Sequence, residues 1–320
     1  MTDLEVVYIS GAPRSGTTLL GMALGQLPEC CDVGELWALW RPAFREGDLC
    51  GCGKPVHSCG FWLEVAQRSL GPDYETRGPA LGRLHRETMG TLSAPKVWAH
   101  VSGRRRNPAF TEYAEALGRE YRAIAEASGA RVVIDSSKMA SDALLAGSIP
   151  GINLKVIHLI RDPRGVAWSW RKQMRQPGPQ GRAMHRQRPI ATAARWDAYN
   201  AFAELLLAPR LGGHFRRLRY EDLLDDPRGQ LSDLARWIGA DPADLPVSGQ
   251  PPRLTLEKPT HPVWGNPVRT SSGTITLRED EEWRNRMPAA ERMMATVATL
   301  PFLWRYRYPA FGVRDRPRTP

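Results

Sequence analysis

One segment constrains this chain more than any other: Gly11-Ala12-Pro13-Arg14-Ser15-Gly16-Thr17-Thr18, set between an apolar run and a helical pattern. Glu5 to Ser10 reads as a buried strand through Val6-Val7-Tyr8-Ile9, and Thr17 to Leu24 reads as the first turns of a helix. Strand, glycine-bounded loop and helix N-terminus in that order aim backbone N–H groups and the positive end of the helix dipole at an anion. The plainer alternative is a strand-to-helix turn capped by Ser15 or Thr17.

The spacing Gly11-x4-Gly16-Thr17-Thr18 is that of a nucleoside-triphosphate P-loop, but Thr17 stands where that motif has its lysine. Without the lysine, β- and γ-phosphates lose their usual positive clamp. The basic group lies within the loop instead, as Arg14. Further short aliphatic runs predict strands at Arg131 to Ile134, Leu154 to Ile160 and Phe215 to Tyr220. Ala, Leu and Trp at spacings of three and four predict helices over Phe110 to Ala127, Met139 to Ala146, Val166 to Met174, Ala191 to Ala208 and Gly229 to Ile238. The alternation argues an α/β fold: a P-loop-type parallel β-sheet flanked by helices on both faces, a three-layer sandwich. Ligands of such sheets sit at the carboxyl ends of the strands, and the polar clusters of this sequence fall there. A single domain over 1–320 is expected, with a Cys-rich loop insertion near 45–60 and a mobile basic loop near 176–189.

A second anion site is legible after the third of these strands. Arg161 follows Leu154 to Ile160, a helix is expected to start at Pro163, and Ser169 falls on its second turn. Both side chains then reach one crevice, the arginine offering a forked charge-assisted contact and the serine a hydroxyl. The alternative is a local Arg161-Asp162 ion pair with Ser169 as an ordinary helix residue.

Together these motifs resemble PAPS-dependent sulfotransferases, in a form similar to tyrosylprotein sulfotransferases and related bacterial enzymes. The resemblance implies that Pro13, Arg14, Ser15, Gly16, Thr17 and Thr18 hold the 5′-phosphosulfate of 3′-phosphoadenosine 5′-phosphosulfate (PAPS), with Arg14 also facing the transferred sulfuryl group. It implies that Arg161 and Ser169 bind the 3′-phosphate, and that Tyr220, in Tyr220-Glu221-Asp222-Leu223, approaches the adenine. Trp264 to Gly273 resembles the family's cofactor-covering loop, in which Arg269 is the candidate contact. Gly34-Glu35 matches a pair whose glutamate is the catalytic base, with Asp32 the nearest competitor. Lys138, in Asp135-Ser136-Ser137-Lys138, matches a lysine that neutralises charge on the sulfuryl group or leaving phosphate.

The implied reaction moves a sulfuryl group to an acceptor hydroxyl of a carbohydrate, a peptide tyrosine or a small-molecule alcohol, and its chemistry requires no metal. A net charge of +10 suits a phosphate-rich donor, and a basic loop closing over the acceptor would suit an anionic one. Two basic clusters bear on this, Arg104-Arg105-Arg106 and the set Arg171, Lys172, Arg175, Arg182, Arg186 and Arg188. No dense basic helix or nucleic-acid module is visible, so a nucleic-acid partner is not expected. The competing readings are a Mg²⁺-dependent P-loop phosphotransferase using Asp135 and a non-catalytic polyanion-binding protein. No signal-peptide pattern or membrane-span run is visible, which leads to the expectation of a cytoplasmic protein without a stable membrane anchor.

Five cysteines, an odd number, argue against a disulfide framework. Cys50, Cys52, His57 and Cys59 offer four zinc ligands, but the Cys-x-Cys spacing is tighter than usual, so reduced thiols are the expectation. Among the histidines, His158 reads as a core residue, whereas His57, His100 and His261 fall in loops.

Overall fold

Residues 3–44, 47–172 and 187–310 are described by a computed structural model. Five parallel strands form its central sheet: β1 (Leu4–Ser10), β2 (Cys30–Gly34), β3 (Val132–Lys138), β4 (Ile152–Ile160) and β5 (Phe215–Arg219), in the order β2-β3-β1-β4-β5. Four of these occupy the expected aliphatic runs. The unexpected one is β2, whose sequence Cys30-Cys31-Asp32-Val33-Gly34 is short and half polar, and whose strand character comes from pairing with β3.

Both faces of the sheet are covered, as the aliphatic runs require. Side chains alternate across a strand, so Val6 and Tyr8 of β1 enter one apolar cluster and Val7 and Ile9 the other. The first cluster packs against helices Gly60–Leu70, Pro108–Ser128 and Ala140–Ala146; the second packs against α1 (Thr17–Gly25) and helix Pro227–Ile238. A small antiparallel sheet, β6 (Val247–Ser248), β7 (Arg253–Leu256) and β8 (Gly273–Thr276), joins the α1 side. The result is the expected three-layer α/β sandwich. Strand order reverses at β1, which opens a crevice at its carboxyl end, where the glycine-rich loop begins.

Helix ends follow local chemistry. Asn107 caps Pro108–Ser128 by accepting from the Ala109 amide at 3.0 Å, and Asp162 caps Pro163–Arg171 by accepting from the Arg164 amide at 2.9 Å. The helix over Tyr74–Thr88 was not anticipated, because Gly78, Pro79 and Gly82 interrupt its pattern. Those glycines serve packing: a Cβ at Gly78 would lie 2.3 Å from the Trp40 ring, and one at Gly82 2.4 Å from the Trp40 carbonyl. Of the basic loop, residues 176–186 lie outside the described residues, as do Arg175 and the end of the helix expected to reach Met174. Among the described residues, no helix is long and apolar enough to cross a membrane.

Candidate active site

The loop leaving β1 is shaped by two glycines that tolerate no side chain. A Cβ at Gly11, φ 152°, would fall 2.2 Å from the Leu159 carbonyl oxygen, and one at Gly16, φ 92°, 2.5 Å from the Tyr220 ring. Arg14 itself has φ 75°, a conformation that non-glycine residues adopt only where surrounding structure enforces it. Among the described residues no side chain caps the first turn of α1, so its leading amides face the crevice. The Ser15 hydroxyl is buried without a hydrogen-bond partner among the described residues. An uncapped helix start beside an orphaned hydroxyl is a fit for a bound oxyanion. Pro13, Arg14, Gly16, Thr17 and Thr18 line a cavity of about 580 Å³, while Ser15 sits behind its wall.

Arg161, Ser169 and Tyr220 line the same cavity. Arg161 donates to the Arg14 carbonyl at 3.0 Å, and its guanidinium lies over the Tyr220 ring at 4.7 Å. The local Arg161-Asp162 pair does not form, because Asp162 pairs with Arg164 at 2.7 Å. Arg161 lines the cavity and also reaches Asp280, donating to its carbonyl at 3.4 Å with its carboxylate 4.0 Å away. Replacing it with Ala is expected to weaken 3′-phosphoadenosine 5′-phosphate binding roughly tenfold to a hundredfold, the worth of a charged hydrogen bond of ~1.5–3 kcal/mol. Calorimetric titration checks this, and an unchanged Kd would place the 3′-phosphate elsewhere.

Glu35 and Lys138 meet from adjacent strand ends. Gly34 of β2 stands in register with Asp135 of β3, so the residues just beyond face one another, and Lys138 Nζ forms an ion pair with Glu35 Oε1. The other Glu35 oxygen accepts from Trp37 Nε1 at 3.1 Å, and Lys138 also donates to the Ser136 carbonyl at 3.2 Å. Lys138 has φ 78°, a second enforced left-handed residue at the site. Burial lowers the Arg14 guanidinium from its ordinary value, and the nearby Glu35 charge opposes that shift.

Asp32, the competing base, does not reach the cavity. It lies beneath α1, where Gly21 and Gly25 make room for it; its Oδ1 accepts from the Gly34 amide at 3.1 Å, and burial pushes its carboxyl up to about 7. Asp135 is likewise committed, accepting from Tyr121 Oη at 2.7 Å and from the Ser137 amide at 2.8 Å. The segment Val263 to Asn266 covers the site by backbone: Val263 pairs with Gly34 and accepts from the Glu35 amide at 2.9 Å. Gly265 comes so close that a Cβ there would lie 2.8 Å from Glu35 Oε1. Arg269 follows in the same stretch. It is 1% exposed and does not line the cavity, and it holds the cover by donating to the carbonyls of Gly265 and Leu49, each at 3.4 Å.

Several lining residues carried no signal in the sequence: Trp37, Arg41, His85, Arg195 and Tyr199. His85 bonds Asp142 at 2.9 Å and stacks on Trp37, two contacts set by packing between distant segments. His158 is fully buried against Asn200, as expected for a core histidine. His57 and Arg104 to Arg106 are exposed and away from the cavity.

An anion cradle at a strand-order reversal faces a paired carboxylate and ammonium, an arrangement able to hold an oxyanion beside a proton acceptor. Residues 4–290 match the sulfotransferase domain family, and the chain belongs to that family. Similar solved structures include the sulfotransferase domain from the Synechococcus PCC 7002 olefin synthase, at 22% identity and TM-score 0.49 over 98% of this chain and 96% of that one. The sulfotransferase domain from the curacin biosynthetic pathway matches at 16% identity and TM-score 0.50 over 97% and 99%, and a sulfotransferase from Alicyclobacillus acidocaldarius at 15% and 0.43 over 93% and 92%. No curated protein matches the chain.

Proposed function

We propose that this protein transfers a sulfuryl group from PAPS to an acceptor hydroxyl, with Glu35 as base. The observation that carries the reading is the Glu35–Lys138 pair, held at adjacent strand ends and facing the loop of Pro13 to Thr18 across one cavity. Bound PAPS supplies the sulfuryl group, whose sulfur bonds the acceptor oxygen in line as its bond to the 5′-phosphate oxygen breaks. Glu35 takes the proton from the acceptor hydroxyl as that bond forms. Lys138 and Arg14 meet the negative charge on the sulfuryl oxygens and the departing phosphate, and the amides at the start of α1 hold the phosphate in place. Trp37, whose indole bonds Glu35, fixes the carboxylate toward the acceptor.

The acceptor end of the cavity is walled by Trp37, Tyr199 and Trp264, with Arg41 over the Trp37 ring at 4.9 Å and Arg195 nearby. Aromatic walls with two guanidinium groups favour an acceptor with an apolar body and a negative charge. The Mg²⁺ phosphotransferase reading has Thr17 in place of its lysine and a candidate aspartate, Asp135, already bonded to Tyr121 and Ser137.

Thermal denaturation tests the donor. At a hundredfold excess over Kd, 3′-phosphoadenosine 5′-phosphate is expected to stabilise the chain by about 2.7 kcal/mol, a rise in Tm of roughly 5 °C. ATP with Mg²⁺ is expected to shift it far less. Stabilisation by ATP and metal with none by the bisphosphate would end this reading.

A further inference from the structure

Three thiols and one imidazole converge outside the cavity. Cys50 and Cys59 are buried, and Cys52 and His261 are half-buried. The sulfurs of Cys52 and Cys59 are 3.6 Å apart, and His261 Nδ1 lies 3.4 Å from Cys50 Sγ and 3.5 Å from Cys59 Sγ. All four atoms lie within 4.8 Å of one another. A disulfide needs sulfurs about 2.05 Å apart, and these are far beyond that. The three short distances instead match edges of a coordination tetrahedron. Metal bonds of about 2.3 Å to sulfur and about 2.0–2.1 Å to nitrogen set two sulfurs about 3.8 Å apart, and a sulfur and a nitrogen about 3.6 Å apart.

We propose that Cys50, Cys52, Cys59 and His261 bind one zinc ion in a closed tetrahedral site. Three soft thiolates with one imidazole suit Zn²⁺, and four protein ligands leave no position for water or substrate, which is the pattern of a structural site. His57, the histidine nearest in sequence, is exposed and takes no part.

The surroundings hold the four donors in place. The Gly53 amide donates to the Cys50 carbonyl at 2.9 Å and the Cys50 amide to the Lys54 carbonyl at 2.8 Å, closing a tight turn with Gly53 at φ 82°. That turn brings both sulfurs of a Cys-x-Cys pair to one point. Gly51 abuts Pro262 so closely that a Cβ would lie 2.4 Å away. Trp62 Nε1 donates to the His261 carbonyl at 3.0 Å, and Phe61 stacks on the imidazole at 4.4 Å between centroids.

The consequence reaches the cavity. Two residues after His261, Val263 pairs with Gly34 and accepts from the Glu35 amide, and Trp264 to Asn266 line the cavity. The ion therefore staples the Cys-rich insertion to the segment that covers the site and braces the Glu35 backbone.

Metal analysis of the full chain, purified without added zinc or chelator, is expected to find about one zinc per chain. Cys52→Ala and His261→Ala are expected to lose it, and His57→Ala to retain it. Because a ligand variant can fail to fold, the wild-type chain is also stripped and reloaded with Co²⁺, which is expected to give thiolate-to-cobalt charge-transfer absorption and the intense visible bands of a tetrahedral site. Weak octahedral bands, zinc-free protein with freely reacting thiols, or a Cys52–Cys59 disulfide in freshly purified chain overturns the proposal. So does zinc lost in His57→Ala and kept in His261→Ala.

Discussion

Glu35→Gln is expected to lower kcat by ~10²–10⁴, the usual worth of a positioned general base, while leaving 3′-phosphoadenosine 5′-phosphate affinity within about threefold of wild type. Glutamine matches glutamate in size and keeps an oxygen for the Trp37 indole, so the wall of the cavity is preserved. What it lacks is the basic carboxylate proposed to take the acceptor proton. Lys138 stays in place through its bond to the Ser136 carbonyl, so the donor side is little disturbed. Single-turnover measurements with labelled donor separate the chemical step from binding. Undiminished turnover would move the base elsewhere, and His85, bonded to Asp142 on the same cavity, is the first group to examine.

Lys138→Met is expected to lower kcat by ~10²–10³, equivalent to ~2.7–4 kcal/mol, by analogy with the loss of one preorganised donor to a developing oxyanion. Lys138 is 5% exposed, so solvent does not replace the lost charge. Methionine retains the length and apolar stem and inherits the same left-handed backbone, so strain is unchanged. The variant also leaves Glu35 without its ion-pair partner. Glu35→Gln and Lys138→Met combined are therefore expected to cost less than the two losses multiplied, because each single variant already damages a shared arrangement. Independent, fully multiplicative effects would show that the pair is not a unit. Thermal melts of both variants guard against a purely structural explanation.

Much of this fold is local and was readable as such. The aliphatic runs of β1, β3 and β4 and the capped helices at Pro108 and Pro163 follow from side-chain period and capping chemistry within a few residues. Reading failed where tertiary contact overrides local pattern. β2 is a strand because β3 pairs with it, and Tyr74–Thr88 is a helix whose glycines make room for Trp40. The burial of Arg269 against the carbonyls of Gly265 and Leu49 is likewise a tertiary contact that its local sequence does not carry.

The site divides in the same way. The glycine-rich loop between β1 and α1, and the Arg161 to Ser169 spacing, were determined by sequence alone, because a loop of a few residues and two turns of helix admit few geometries. Only the tertiary structure decided that Glu35 meets Lys138, that Asp162 belongs to Arg164 and not Arg161, and that the histidine beside the cysteines is His261. Cys59 and His261 stand 202 positions apart, and nothing in their spacing carries that contact. The order of strands in the sheet and the path of the covering segment bring such groups together, and those are properties of the packed chain as a whole.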